Sequence, residues 1–237
     1  MSRPYRRKVR GPDVSATTIF VGLACGTLLT AVGLAAWNSF PHLPVLSRAA
    51  RAVGWLAGAL LLIGALFAWP GSALAFRLIL MAALAAPPHR RRDAPWNDVL
   101  LLLPALALAG GGLLYSLEHV QPEVGSHPAT PVEIALLICG GLGARALGEA
   151  LSNVAASTSP AEPSSLAYVL LTLLVGGAAL ASLWQRGTVW AGAANEGALA
   201  ASWLAWSAAR LGPRQHHRLR AGLTIVAASL LVATVMK

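Results

Sequence analysis

The chain has 237 residues, 56% of them apolar and 11% charged, with a mean hydropathy of +0.63. A soluble domain carries about 25% charged residues, so a water-facing globule is excluded, as are a disordered chain, a collagen and a disulfide scaffold. The net charge of +9 and the pI near 11 come from short basic clusters between apolar runs, which orient helices in a membrane rather than grip nucleic acid.

Residues 1–13, MSRPYRRKVRGPD, are a basic tail. The run 15–37 is too long for a signal-peptide core and lacks a cleavage site. It predicts a first span, because about 20 apolar residues cross the hydrocarbon layer. Residues 38–51, with Pro41 and Pro44, read as a loop, and 52–69 as a second span. Gly22 and Gly26 in the first run, and Gly54 and Gly58 in the second, give GxxxG faces for close helix packing. The stretch 72–86 carries Arg77 and is short, so it reads as a tilted span or a re-entrant piece. After a basic loop at 87–96, spans are expected at 97–117, 131–153, 163–184, 191–211 and 218–236. No internal repeat is visible. Helices satisfy their own backbone groups in lipid, so the expected fold is a single all-α membrane bundle of seven helices, or eight if 72–86 crosses fully.

The positive-inside rule puts 87–96, 154–162 and 212–220 inside, and 118–130, 185–190 and the C-terminus outside. Seven spans place the basic N-terminus inside and eight place it outside; charge favours seven. With no transit-peptide pattern, a prokaryotic plasma membrane is the expected location.

Catalytic signatures are missing: there is no GxSxG, HExxH, P-loop or GxGxxG. Cys25 and Cys139 form no CxxC and read as small packing residues. Ionisable residues inside spans are costly unless paired, so they are the first candidates. Arg145 and Glu149 lie at i, i+4 on one helix face. They read first as an internal ion pair and second as half of a polar substrate site. Arg77 snorkels or pairs with an unidentified acid. Glu196 opens a span and shares a side with Trp203, seven residues on, while Trp190 sits at the membrane surface. An interfacial aromatic belt with a helix-opening acid accounts for these residues. His119 and His127 share an outside loop; His216 and His217 share an inside one. They read as solvated loop residues, or as haem or metal ligands. The basic loop around Arg218 and Arg220 reads as a topology determinant or an anionic-lipid contact.

The row from Trp190 to Trp203 is WAGAANEGALAASW, preceded by the span LAYVLLTLLVGGAALASLW. Residues 165–236 resemble the end of the cytochrome c assembly family, the haem-handling membrane proteins. That family has an outside loop of the type WxWDPKE, a span opening at its Glu, a basic inside turn and a last span. Trp190, Glu196 and Trp203 match its positions, and His127 resembles its first flanking histidine. Gly192, Ala193, Ala194 and Asn195 stand where Trp, Asp, Pro and Lys would be. The resemblance implies haem as a cofactor, held near His119, His127, Trp190 and Trp203, or a relative that keeps the fold without the catalysis.

Three functions are expected, in this order. The first is a non-catalytic subunit or assembly factor of a larger membrane complex, with the bilayer and other membrane subunits as partners and no nucleic acid. The second is a divergent haem-handling cytochrome c maturation protein. The third is a small-solute or lipid transporter using Arg145, Glu149 and Glu196.

Overall fold

The computed structural model describes residues 16–37, 44–68, 73–86, 95–118, 131–156, 165–189, 194–212 and 216–236. They form eight helices and, among the described residues, no strand: α1 (Ala16–Trp37), α2 (Pro44–Ala68), α3 (Ala73–Ala85), α4 (Pro95–Glu118), α5 (Pro131–Ala156), α6 (Ser165–Arg186), α7 (Ala194–Leu211) and α8 (His217–Met236). Three of them open on proline, at Pro44, Pro95 and Pro131, where the missing N–H costs nothing and the fixed φ favours the first turn. Pro44 therefore starts α2 inside the stretch expected to be a loop.

Six helices are long and apolar enough to cross a membrane, which fits a multi-pass helical membrane protein. The other two are the informative ones. α7 carries Asn195 and Glu196 in its first turn and Arg210 in its last, with Ser202 and Ser207 between, and falls outside the six. α3 is 13 residues long, about 20 Å at 1.5 Å per residue, short of the roughly 30 Å hydrocarbon layer. Its burial explains how so short a helix is kept. Ala75, Phe76, Leu78, Ile79, Met81, Ala82, Ala83 and Ala85 are all buried, as expected of a helix apolar apart from Arg77, and α2, α4 and α5 surround it.

Two apolar clusters share α5. One joins α1 to α5; the other joins α5, α6, α7 and α8 around the fully buried Trp206. α5 can serve both because four glycines on it let neighbouring helices come close. A β-carbon added at Gly141 would lie 2.6 Å from Leu84 Cβ of α3, and one at Gly148 would lie 2.7 Å from the Leu101 carbonyl oxygen of α4. At Gly140 and Gly143 it would meet Val235 and Leu231 of α8 at 3.2 and 3.1 Å. Small residues let backbones approach where lipid offers no hydrophobic drive for association.

These contacts also fix the direction of each helix. Phe20 of α1 stacks on Phe67 of α2 with centroids 5.4 Å apart, so α1 begins where α2 ends. α3 begins four residues later, and its Arg77 meets Glu133 near the start of α5. Gly148 against Leu101 sets α4 antiparallel to α5, and Val235 against Gly140 does the same for α8. The first residue of α1 and the last of α8 therefore lie at one end of the bundle, the terminal end. The starts of α2, α4, α6 and α8 lie at the other, here the basic end, which holds Arg48, Arg51, Arg210, Arg218 and Arg220.

Candidate functional site

Three sets of polar side chains stand inside this apolar frame. The first ties α3 to α5: Arg77 Nη2 donates to Glu133 Oε1 at 3.5 Å. Glu133 also sits in the first turn of α5, where a carboxylate is favoured by the helix dipole. The pair anchors the short α3 at the terminal end.

The second set is Arg145 and Glu149 on α5, with Nε donating to Oε1 at 3.5 Å. Their side chains keep only 20% and 18% of their exposure, at about mid-length of the longest helix. Twelve residues of α5, about 18 Å of rise, separate Glu133 from Arg145, so the two ion pairs are two local fastenings and not one site.

The third set is a ladder between α6 and α7. Tyr168 and Thr172 occupy one face of α6; Trp203, Ser207 and Arg210 answer from α7 at matching i, i+4 and i+3 spacings. The Tyr168 hydroxyl and Ser207 Oγ lie 3.2 Å apart, and Trp203 Nε1 donates to Thr172 Oγ1 at 3.0 Å. The Arg210 guanidinium stands 5.1 Å from the centre of the Tyr168 ring, a cation–π distance. α6 is otherwise mostly open to its surroundings: Leu173, Leu180 and Trp184 are exposed. Polar bonds therefore hold it where apolar packing is thin. On the other side of α7, Ser202 Oγ donates to the Ala227 carbonyl at 2.8 Å, and Arg220 Nε donates to the Ala209 carbonyl at 2.7 Å. Arg220 thus satisfies one of the carbonyls that the end of α7 leaves without a helical donor, with a charge sign that suits the dipole.

Arg145 and Glu149 come together as their i, i+4 spacing suggested, and Arg77 finds its acid 56 residues away. Glu196 lies half-buried in the first turn of α7. Trp203 is turned into the ladder and packs against the second apolar cluster. His119, His127 and Trp190 lie outside the described residues. His216 is exposed, and among the described residues no group of three or more His, Cys, Asp or Glu is placed to hold a metal. Gly54 and Gly58 are buried. Gly22 and Gly26 do not seat a neighbouring helix of this chain: a β-carbon at either would meet nothing within 4 Å. Packing against α2 uses the other side of α1, where Val21 approaches Gly64.

Sequence reasoning missed Glu133, the glycine row of α5, the α6–α7 ladder and the Arg220 cap. The signal for two of these was present. Gly140, Gly141, Gly143 and Gly148 are dense within one run, and Tyr168/Thr172 and Trp203/Ser207 repeat at i, i+4 in successive spans. No family model, curated protein or solved structure matches the chain.

Proposed function

We propose that this chain is a non-catalytic, multi-pass subunit of a larger membrane protein complex, joined to its neighbour through the outward face of α1. One observation carries the reading. Gly22, Gly26 and Gly33 run along α1, and a β-carbon at any of them would meet nothing within 4 Å. Gly26, Thr30 and Gly33 are exposed. Along α5 small residues are used where backbones meet, whereas α1 carries three open glycines on one helix, as α6 carries Gly176 and Gly177. A second such row, turned outward, suits a helix from another protein. The polar side chains support the same reading, because the Arg77–Glu133 pair and the α6–α7 ladder fasten one helix to another and Arg145 and Glu149 pair within α5.

In this reading the chain crosses eight times, with α3 as a short buried crossing, and the basic end faces the cytoplasm. The start of α1 then lies on the far side, although the sequence before it carries five basic residues.

Gly26→Leu is the test. A β-carbon there meets nothing within 4 Å among the described residues, so the thermal midpoint of the isolated protein is expected to stay within experimental error of wild type. The amount of partner recovered in mild detergent is expected to fall roughly tenfold, a loss of about 1.4 kcal/mol of association. A wild-type protein isolated alone with intrinsic activity, or a Gly26→Leu protein that keeps its partner, would overturn the proposal.

A further inference from the structure

Unlike the Arg77–Glu133 pair, which joins two helices, Arg145 and Glu149 pair within one. They belong to a strip on α5, Ile138, Leu142, Arg145 and Glu149, at i, i+4, i+7 and i+11. All four are half-buried, while Cys139, Gly141, Ala146 and Gly148 on the two flanks of the strip are buried. At about 100° per residue, the strip lies opposite Gly140 and Gly143, which meet α8. Gly141 and Gly148 on one flank meet α3 and α4. Cys139 and Ala146 on the other belong to the second apolar cluster, where α6 packs. Leu142 borders that cluster and Ile138 belongs to neither. Among the described residues, α4 and α6 both pack on α5 without packing on each other. The strip is therefore the floor of a groove, with α4 and α6 as its walls.

The floor carries charge where acyl chains offer it nothing. Arg145 and Glu149 stand at about mid-length of α5 and keep 20% and 18% of their side-chain exposure, so the pair is open to whatever fills the groove. Their 3.5 Å approach is longer than the roughly 2.7–2.9 Å of a close charge-assisted bond. Ionisable groups at this depth face protein or water rather than lipid tails. The charges of the pair cancel, so a neutral occupant that offers Arg145 an acceptor and Glu149 a donor matches both. A primary carboxamide carries the two groups side by side. From Ile138 to Glu149 the strip rises about 16 Å, roughly three helical turns, which suits a helix rather than a headgroup at the membrane surface. Among the described residues, the exposed carboxamides of this chain, Gln185 and Asn195, lie at the terminal end, so a second copy does not bring one to mid-depth.

We infer that this groove receives a transmembrane helix of another protein that carries an asparagine or glutamine at mid-depth. The carboxamide oxygen accepts from Arg145 and its NH2 donates to Glu149, while apolar residues of the same helix cover Ile138 and Leu142. The inference rests on the subunit reading for the presence of a partner, but it uses a different face from α1, so either face can fail without the other.

The test uses the full-length protein in lipid vesicles with two synthetic transmembrane probes, at low peptide-to-lipid ratio. One is a polyleucine helix with a central asparagine; the other is the same helix without it. Energy transfer between labelled protein and labelled peptide reads binding, and no native partner is present. The asparagine peptide is expected to bind roughly tenfold more tightly than the all-leucine peptide. The double variant Arg145→Leu with Glu149→Leu is expected to lose that preference, and Gly26→Leu is expected to keep it. A photoreactive amino acid at position 138 is expected to capture the asparagine peptide, and one at the buried position 139 to react only within the chain. This arm leaves both charges in place, so it decides the matter if the double variant fails to fold. Equal binding of the two peptides, a preference that survives in a folded double variant, a preference lost in Gly26→Leu, or adducts from position 138 to lipid or to a second copy in place of the peptide would overturn the inference.

Discussion

Gly148→Leu is expected to destabilise the bundle by about 3 kcal/mol or more. The first side-chain carbon at this position would lie 2.7 Å from the Leu101 carbonyl oxygen and 3.1 Å from its Cα. Both obstructing atoms are backbone, so no rotamer change relieves the overlap, and α4 or α5 has to move. α5 borders both apolar clusters, so a shift there is felt on two sides. Gly177→Leu on α6 is the matched control. A β-carbon there meets nothing within 4 Å among the described residues, and the substitution is expected to change stability by less than about 1 kcal/mol. Thermal midpoints of the two variants in one detergent provide the comparison. Equal midpoints would mean that α4 and α5 do not meet at this glycine.

Arg145→Leu and Glu149→Leu, each alone, are expected to cost up to about 3 kcal/mol, because each removes the opposite charge that the other faces at 3.5 Å in an apolar frame. The double variant is expected to return to within about 1 kcal/mol of wild type, since replacing both members of a buried pair by apolar residues is often neutral. A thermal-midpoint double-mutant cycle reads the coupling directly. Additive losses in the cycle would mean that the two residues act separately and that the 3.5 Å approach contributes nothing. A stable double variant that loses a transported solute would restore the substrate-site reading of this pair.

The class of fold was legible because charge is scarce and apolar runs have the length that a bilayer sets. Helix edges were legible to within a few residues except at α2, where Pro44 was read as a loop signal although proline equally opens a helix. α3 shows why periodicity stops short of topology. A run of this length with one arginine reads equally as a partial span and as a buried core helix, and only its neighbours decide. The ion pair of Arg145 and Glu149 was legible because it is local, at i, i+4. Glu133 was not identified as the acid for Arg77, because nothing in one sequence links residues 56 apart. The glycines teach the same point in reverse. GxxxG in α1 has the spacing of a packing face, yet the bundle packs through Gly140, Gly141, Gly143 and Gly148 of α5, which carry no simple GxxxG. Spacing says that a face is smooth; it does not say which protein lies against it.

The reading of the α1 face as a subunit interface is tested most directly by photo-crosslinking along α1 in native membranes. A photoreactive amino acid is placed singly at the outward positions 26, 30 and 33, and at the buried positions 24, 28 and 31. The proposal predicts one discrete protein adduct of constant mass from 26, 30 and 33, and only adducts within the chain from 24, 28 and 31. Adducts to lipid alone from the outward positions would contradict it.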